Sequence, residues 1–180
     1  MTEARVRKLV CLTGFMGTGK STVARLLARQ VGWPHVDLDK RITDATGLEI
    51  LDIFAQMGEP EFRRIEHEQL VRVVGEAAEL QQSRILSLGG GTTVQPHNLA
   101  LLRENGAVLV WLECPIEVLL PRCAHITNRP LFRDEASFRE LYQQRLPFYE
   151  ASDYRVDSNT EPLRVVEQIL ALGIFPKVTA

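Results

Sequence analysis

Residues Gly14 to Ser21 spell G-F-M-G-T-G-K-S, directly after the apolar run Lys8 to Thr13. A strand that feeds a glycine-rich turn and then a helix commits the chain to a phosphate site. The first turn of a helix carries backbone N–H groups without intrahelical acceptors, and glycines let those groups wrap an anion with no Cβ in the way. Lys20 adds a point charge able to reach β- and γ-phosphates, and the Ser21 hydroxyl suits a Mg²⁺ coordination position. The expected nucleotide contacts on this loop are Gly14, Gly17, Thr18, Gly19, Lys20, Ser21 and Thr22. A dinucleotide fingerprint fits less well, because Gly17 to Thr22 lacks the third glycine.

The rest of the chain alternates in kind. Apolar, β-rich runs fall at Lys8 to Thr13, His35 to Leu38, Ile85 to Leu88, Ala107 to Leu112 and Asp153 to Val156. Helical patterns lie between them, at Lys20 to Gln30, Glu61 to Gln81, Pro96 to Glu104, Pro115 to Cys123, Glu135 to Glu150 and Glu161 to Leu172. In the second of these, Ile65, Leu70, Val73, Val74 and Ala77 form an apolar stripe. This alternation predicts an α/β fold of three layers, helices on both faces of a five-stranded parallel sheet, in a single domain spanning 1–180. Ligands of such sheets bind beyond the carboxyl ends of the strands. The places to look are therefore Gly14 onward, Asp37 to Asp39, Gly89 to Gly91, and the loops after Leu112 and Val156.

Composition removes several alternatives. A net charge of −2 over 180 residues gives no sign of a nucleic-acid partner or a membrane surface. Cys11, Cys114 and Cys123 are odd in number and lack paired spacing, which argues against a disulfide framework or a zinc site and for a reducing compartment. The stretch Met1 to Lys8 is charged and the apolar run after it is too short for a signal peptide or a spanning helix, so a cytoplasmic protein is expected. His35, His67, His97 and His125 share no ligand spacing and receive no role.

Asp37 and Asp39 close the second run two residues apart, and strand alternation would turn both toward one face. One could order Mg²⁺ while the other contacts an acceptor hydroxyl; the alternative is that Asp39 caps the next helix. Arg63 and Glu66 are three apart on a helical pattern, so the carboxylate can hold the guanidinium flat for a substrate carboxylate, or the pair is a solvated salt bridge. Arg64 fits the solvated reading. Gly89, Gly90 and Gly91 permit close backbone approach by a ligand or form a flexible turn. Arg122 and Arg129 flank a segment that reads as a lid over about residues 123–135, where an arginine can neutralise a transferring phosphoryl group. Arg145 is either a second anion contact or a cation placed at a helix C-terminus by the dipole. Asp44 to Gly47 matches D-x-x-G, a GTPase motif, but in a helical context and with no N-K-x-D elsewhere.

Together these segments resemble the shikimate kinase family over most of the chain, from about Lys8 to the last helix. The similarity is carried by G-F-M-G-T-G-K-S, D-L-D at Asp37 to Asp39, F-R-R-I-E at Phe62 to Glu66, S-L-G-G-G ending at Gly91, R-P-L at Arg129 to Leu131, and Arg145 before P-F-Y-E. The resemblance implies a P-loop kinase fold, with a substrate-binding helical region over about 39–66. It implies transfer of the ATP γ-phosphoryl group to the 3-hydroxyl of shikimate, a step of aromatic amino acid biosynthesis, by a monomeric enzyme. Lys20, Ser21 and Asp37 would then serve ATP and Mg²⁺, with Ser21 and Asp37 on the metal. Asp39, Arg63, Gly89 to Gly91 and Arg145 would hold shikimate, and Lys20, Asp39 and Arg129 would act in the chemistry. Arg122 and the loop Ser158 to Pro162 would flank the adenine, although that loop carries no basic residue.

Overall fold

The computed structural model describes residues 8–124 and 134–176. Its centre is a sheet of five parallel strands in the order β2-β3-β1-β4-β5: β1 Leu9–Thr13, β2 His35–Asp37, β3 Arg84–Ser87, β4 Val108–Glu113 and β5 Tyr154–Asp157. β1 lies in the middle, with Cys11 level with Leu86 of β3 and with Leu109 of β4. All five residues of β1 are buried. That is the signature of a strand covered on both faces, and it explains why β1 reads as a continuous apolar run rather than an alternating one.

The pleat sorts its side chains into two cores. Val10 and Leu12 pack with Val23, Ala24 and Leu27 of α1 (Lys20–Val31) and with Val165, Val166 and Ile169 of α7 (Pro162–Ala171). Leu9 and Cys11 face the opposite layer, which α2 (Leu38–Thr46), α3 (Ile50–Glu79) and α4 (Pro96–Glu104) build. The stripe Ile65, Leu70, Val73, Val74 and Ala77 is buried there. A third cluster covers the carboxyl end of the sheet, where Phe15 meets Phe138 and Tyr142 edge-on at 5.1 and 5.3 Å. Its helices are α5 (Ile116–Cys123) and α6 (Glu135–Glu150). The expected three-layer α/β/α architecture is the one found.

Two local boundaries differ from expectation. β2 ends at Asp37, so Asp37 and Asp39 are not alternating strand residues. Asp37 is the N-cap of α2 and accepts the Lys40 amide, while Asp39 sits in the first turn. The side chain that competes best for the free helical N–H groups takes the cap, and that competition ends the strand. The long helix also begins at Ile50, well before Glu61. It is broken at Gly58, whose φ of 82° and ψ of 170° are not helical, and Pro60 follows at the start of the second arm. The D-x-x-G match is a helix end, for Gly47 closes α2 in the left-handed conformation at φ 68°.

The three cysteines are buried and form no disulfide with one another. Among the described residues no helix is long and apolar enough to cross a membrane.

Candidate active site

The loop between β1 and α1 surrounds an anion-sized hollow. Gly17 holds φ 82°, and a Cβ there would lie 2.8 Å from the Cys123 sulfur, so both backbone and space demand glycine. Thr18 is buried and ties the turn by donating its hydroxyl to the Phe15 carbonyl at 2.9 Å. The Lys20 ammonium lies across the loop, donating to the Gly14 and Phe15 carbonyls at 2.7 and 2.8 Å. Gly17, Gly19, Lys20, Ser21 and Thr22 line a pocket that continues to Asp37, Asp39, Gly89, Gly90 and Arg145. Gly14 stands behind the loop, its ideal Cβ position 2.7 Å from the Leu112 carbonyl oxygen.

The cap at Asp37 doubles as a link between the loop and the sheet. Its Oδ2 accepts the Ser21 hydroxyl at 2.5 Å and the Ser87 hydroxyl at 2.9 Å. Burial pushes the Asp37 carboxyl up, but the hydrogen bonds from Ser21, Lys40 and Ser87, with nearby His35, outweigh it, and the net direction is down. Asp37 is thus an ionised carboxylate beside a helix-top hydroxyl. Two hard oxygen donors in this arrangement fit Mg²⁺.

A second, adjoining pocket is lined by Met16, Asp39, Ile50, Phe54, Phe62, Arg63, Glu66, Gly89 to Gly91 and Arg145. Arg63 enters from the second arm of α3, held by Glu66 Oε2 at 2.9 Å and more loosely by Glu59 at 3.3 Å. Glu66 is 1% exposed, and Thr92 donates to its other oxygen at 2.7 Å. The pair is therefore a buried fixture, whereas Arg64 is exposed and paired with Glu61 and Glu68, the solvated bridge expected of it. Arg145 is 6% exposed and points into both pockets. It is not a surface cation at a helix end. Burial, with a smaller push from Arg63, lowers its pKa against the opposing pull of Tyr149 and Glu59. Two neighbouring guanidiniums in one pocket suit an anionic ligand such as a small carboxylate.

Arg122 is exposed on the last turn of α5 and donates weakly to the Gly17 carbonyl at 3.4 Å. Ser158, the first residue of the expected adenine loop, is buried and bound to the Glu113 carbonyl through both its amide and its hydroxyl at 2.7 Å. Arg129 and residues 125–133, with most of the expected lid, lie outside the described residues.

Met16, Ile50 and Phe54 were not anticipated as pocket walls. Ile50 and Phe54 are four apart, on one face of the first arm of α3, a spacing legible once that arm is recognised. Met16 carries no such signal.

A family model described as shikimate kinase matches residues 16–172. The shikimate kinase of Persephonella marina is 36% identical over 163 residues, covering 89% of this chain and 96% of that protein. The shikimate kinase of Geobacter metallireducens is 39% identical over 165 residues, covering 90% and 87%. Among solved structures, shikimate kinase from Acinetobacter baumannii in complex with shikimate superposes with a TM-score of 0.85 at 31% identity, covering 96% of each chain.

Proposed function

The chain belongs to the shikimate kinase family, and on that premise we propose that its two pockets hold ATP and shikimate side by side for transfer of the γ-phosphoryl group to the 3-hydroxyl. The observation that carries the substrate assignment is Arg145: a guanidinium that is 6% exposed, lines both pockets and lies near the like charge of Arg63, with burial outweighing the pull of Tyr149 and Glu59 on it. A ring-borne carboxylate would balance the charge of the two guanidiniums, and the Arg63 fork is pre-set by Glu66 to receive it in a bidentate manner. The walls Ile50, Phe54 and Phe62 suit the apolar face of a six-membered ring, while the amides of Gly89 to Gly91 and the Asp39 carboxylate suit its hydroxyls.

In this reading Asp39 orients the 3-hydroxyl and accepts its proton as that oxygen attacks the γ-phosphorus in line, the new O–P bond forming as the bond to the β–γ bridging oxygen breaks and ADP leaves with that oxygen. Asp39 is suited to the task because it borders both pockets. Lys20 exchanges the Gly14 and Phe15 carbonyls for phosphate oxygens and meets the charge that spreads over them. The loop amides do the same for the β-phosphate. Ser21 and Asp37 would hold Mg²⁺, which supplies further neutralisation of phosphate charge. Arg129 is assigned to the phosphoryl group, and Arg122 to the adenine side, from the motif pattern. The enzyme would work as a monomer, and in the cytoplasm, in keeping with buried cysteines that form no disulfide with one another.

A coupled ADP-release assay tests the proposal. Turnover is expected with shikimate and not with gluconate or AMP; the reverse pattern refutes it.

A further inference from the structure

Tyr149 lies at the end of α6, fully buried, one turn beyond Arg145. Its hydroxyl donates to the Gly90 carbonyl at 2.5 Å, a link across 59 residues between α6 and the glycine turn after β3. A tyrosine has one proton to give, and with that proton on Gly90 the oxygen lone pairs face the guanidinium beside it. Arg145 is there: the point where a Cβ would stand on Gly90 is 3.1 Å from Arg145 Nη1 and 3.7 Å from the Tyr149 oxygen. The ring itself cannot drift. Trp111 of β4 stacks on it at 6.2 Å with 26° between planes, and Arg155 covers Trp111 at 5.4 Å.

We infer that Tyr149 is a positioning residue, which fixes Arg145 and the Gly90 backbone relative to each other and so sets the affinity for the carboxylate-bearing substrate. The inference rests on the shikimate reading above. It adds a role for a residue that need touch neither substrate. Loss of the hydroxyl leaves the half-buried Gly90 carbonyl without its donor and frees the Arg145 fork to tilt, while the Trp111 stack and the phosphate loop remain. The damage should therefore fall on one substrate only.

The test is Tyr149→Phe, which keeps the ring, assayed with the wild-type enzyme for KM of both substrates, kcat and thermal midpoint. About a tenfold rise in the shikimate KM is expected, with the ATP KM changed less than about twofold, because one hydrogen bond to a charged or buried partner is worth about a factor of ten. An unchanged shikimate KM, or equal rises for both substrates, overturns the inference and leaves Tyr149 a packing residue. If the wild-type enzyme itself fails to turn over shikimate, the functional reading falls and takes this inference with it.

Discussion

Arg63 and Gly91 are in such close contact that a Cβ on the glycine would lie 2.6 Å from Nη2 and 2.9 Å from Nη1 of the arginine. The guanidinium is thus clamped between the backbone of the glycine turn and the Glu66 carboxylate 2.9 Å away.

Gly91→Ala must push the Arg63 fork aside, since the clash is with its rigid planar end. We expect a rise in shikimate KM of about tenfold to a hundredfold, equivalent to about 1.4–2.8 kcal/mol, with the ATP KM held. A normal shikimate KM in steady-state kinetics would show that the fork does not need its observed place.

Arg63→Ala should weaken shikimate binding far more than ATP binding, by about 2–4 kcal/mol for a charge-assisted bidentate contact. Calorimetric titration of shikimate in the presence of a non-hydrolysable ATP analogue reads this directly. Equal losses for the two ligands would mark the arginine as structural.

Lys20→Ala should lower kcat by about a hundredfold or more, as loss of a preorganised charge on the reacting group does. The fold should survive, because the half-buried Lys20 side chain belongs to none of the apolar clusters. Circular dichroism and single-turnover kinetics on the same sample separate the two effects.

Asp39→Asn retains shape and removes the charge. If Asp39 takes the proton, kcat should fall by about 10²- to 10⁴-fold with substrate affinities nearly kept. A change smaller than about threefold would reduce its role to that of a wall.

Burial raises the Tyr149 phenol from 10.0 to about 12 and the Cys11 thiol from 9.0 to about 12. Both groups keep their protons in the folded state at a pH where the unfolded chain has lost them. Stability is therefore intact below about pH 9 and falls as pH rises toward 12. Urea midpoints measured from pH 8 to 11.5 should show this decline, and Tyr149→Phe should remove only the part above pH 10.

Much of this was legible from local pattern, and the misses share a cause. The phosphate loop announces itself because its function needs specific residue types at adjacent positions, and β1 does so because burial on both faces leaves an unbroken apolar run. Asp37 and Asp39 were recognised as a pair, yet for the wrong geometric reason: the Asp37 side chain captures the Lys40 amide and turns strand into helix one residue early. The first arm of α3 was hidden by Gly58 and Pro60, which look like a loop but make a break within a continuous run of helix. Thr92 on Glu66, and Tyr149 on Gly90, join segments 26 and 59 residues apart. No local period encodes such pairings, for they exist only once the sheet has brought the segments together.

Because all five strands run the same way, the molecule has a working rim and a blunt one. The turns around Gly32, Gln81 and Gly106 precede β2, β3 and β4, lie on the blunt rim and line neither pocket. Tags, labels or surface tethers grafted there would leave catalysis untouched, whereas the same graft at the turn after β1, β2 or β3 would land in the pockets.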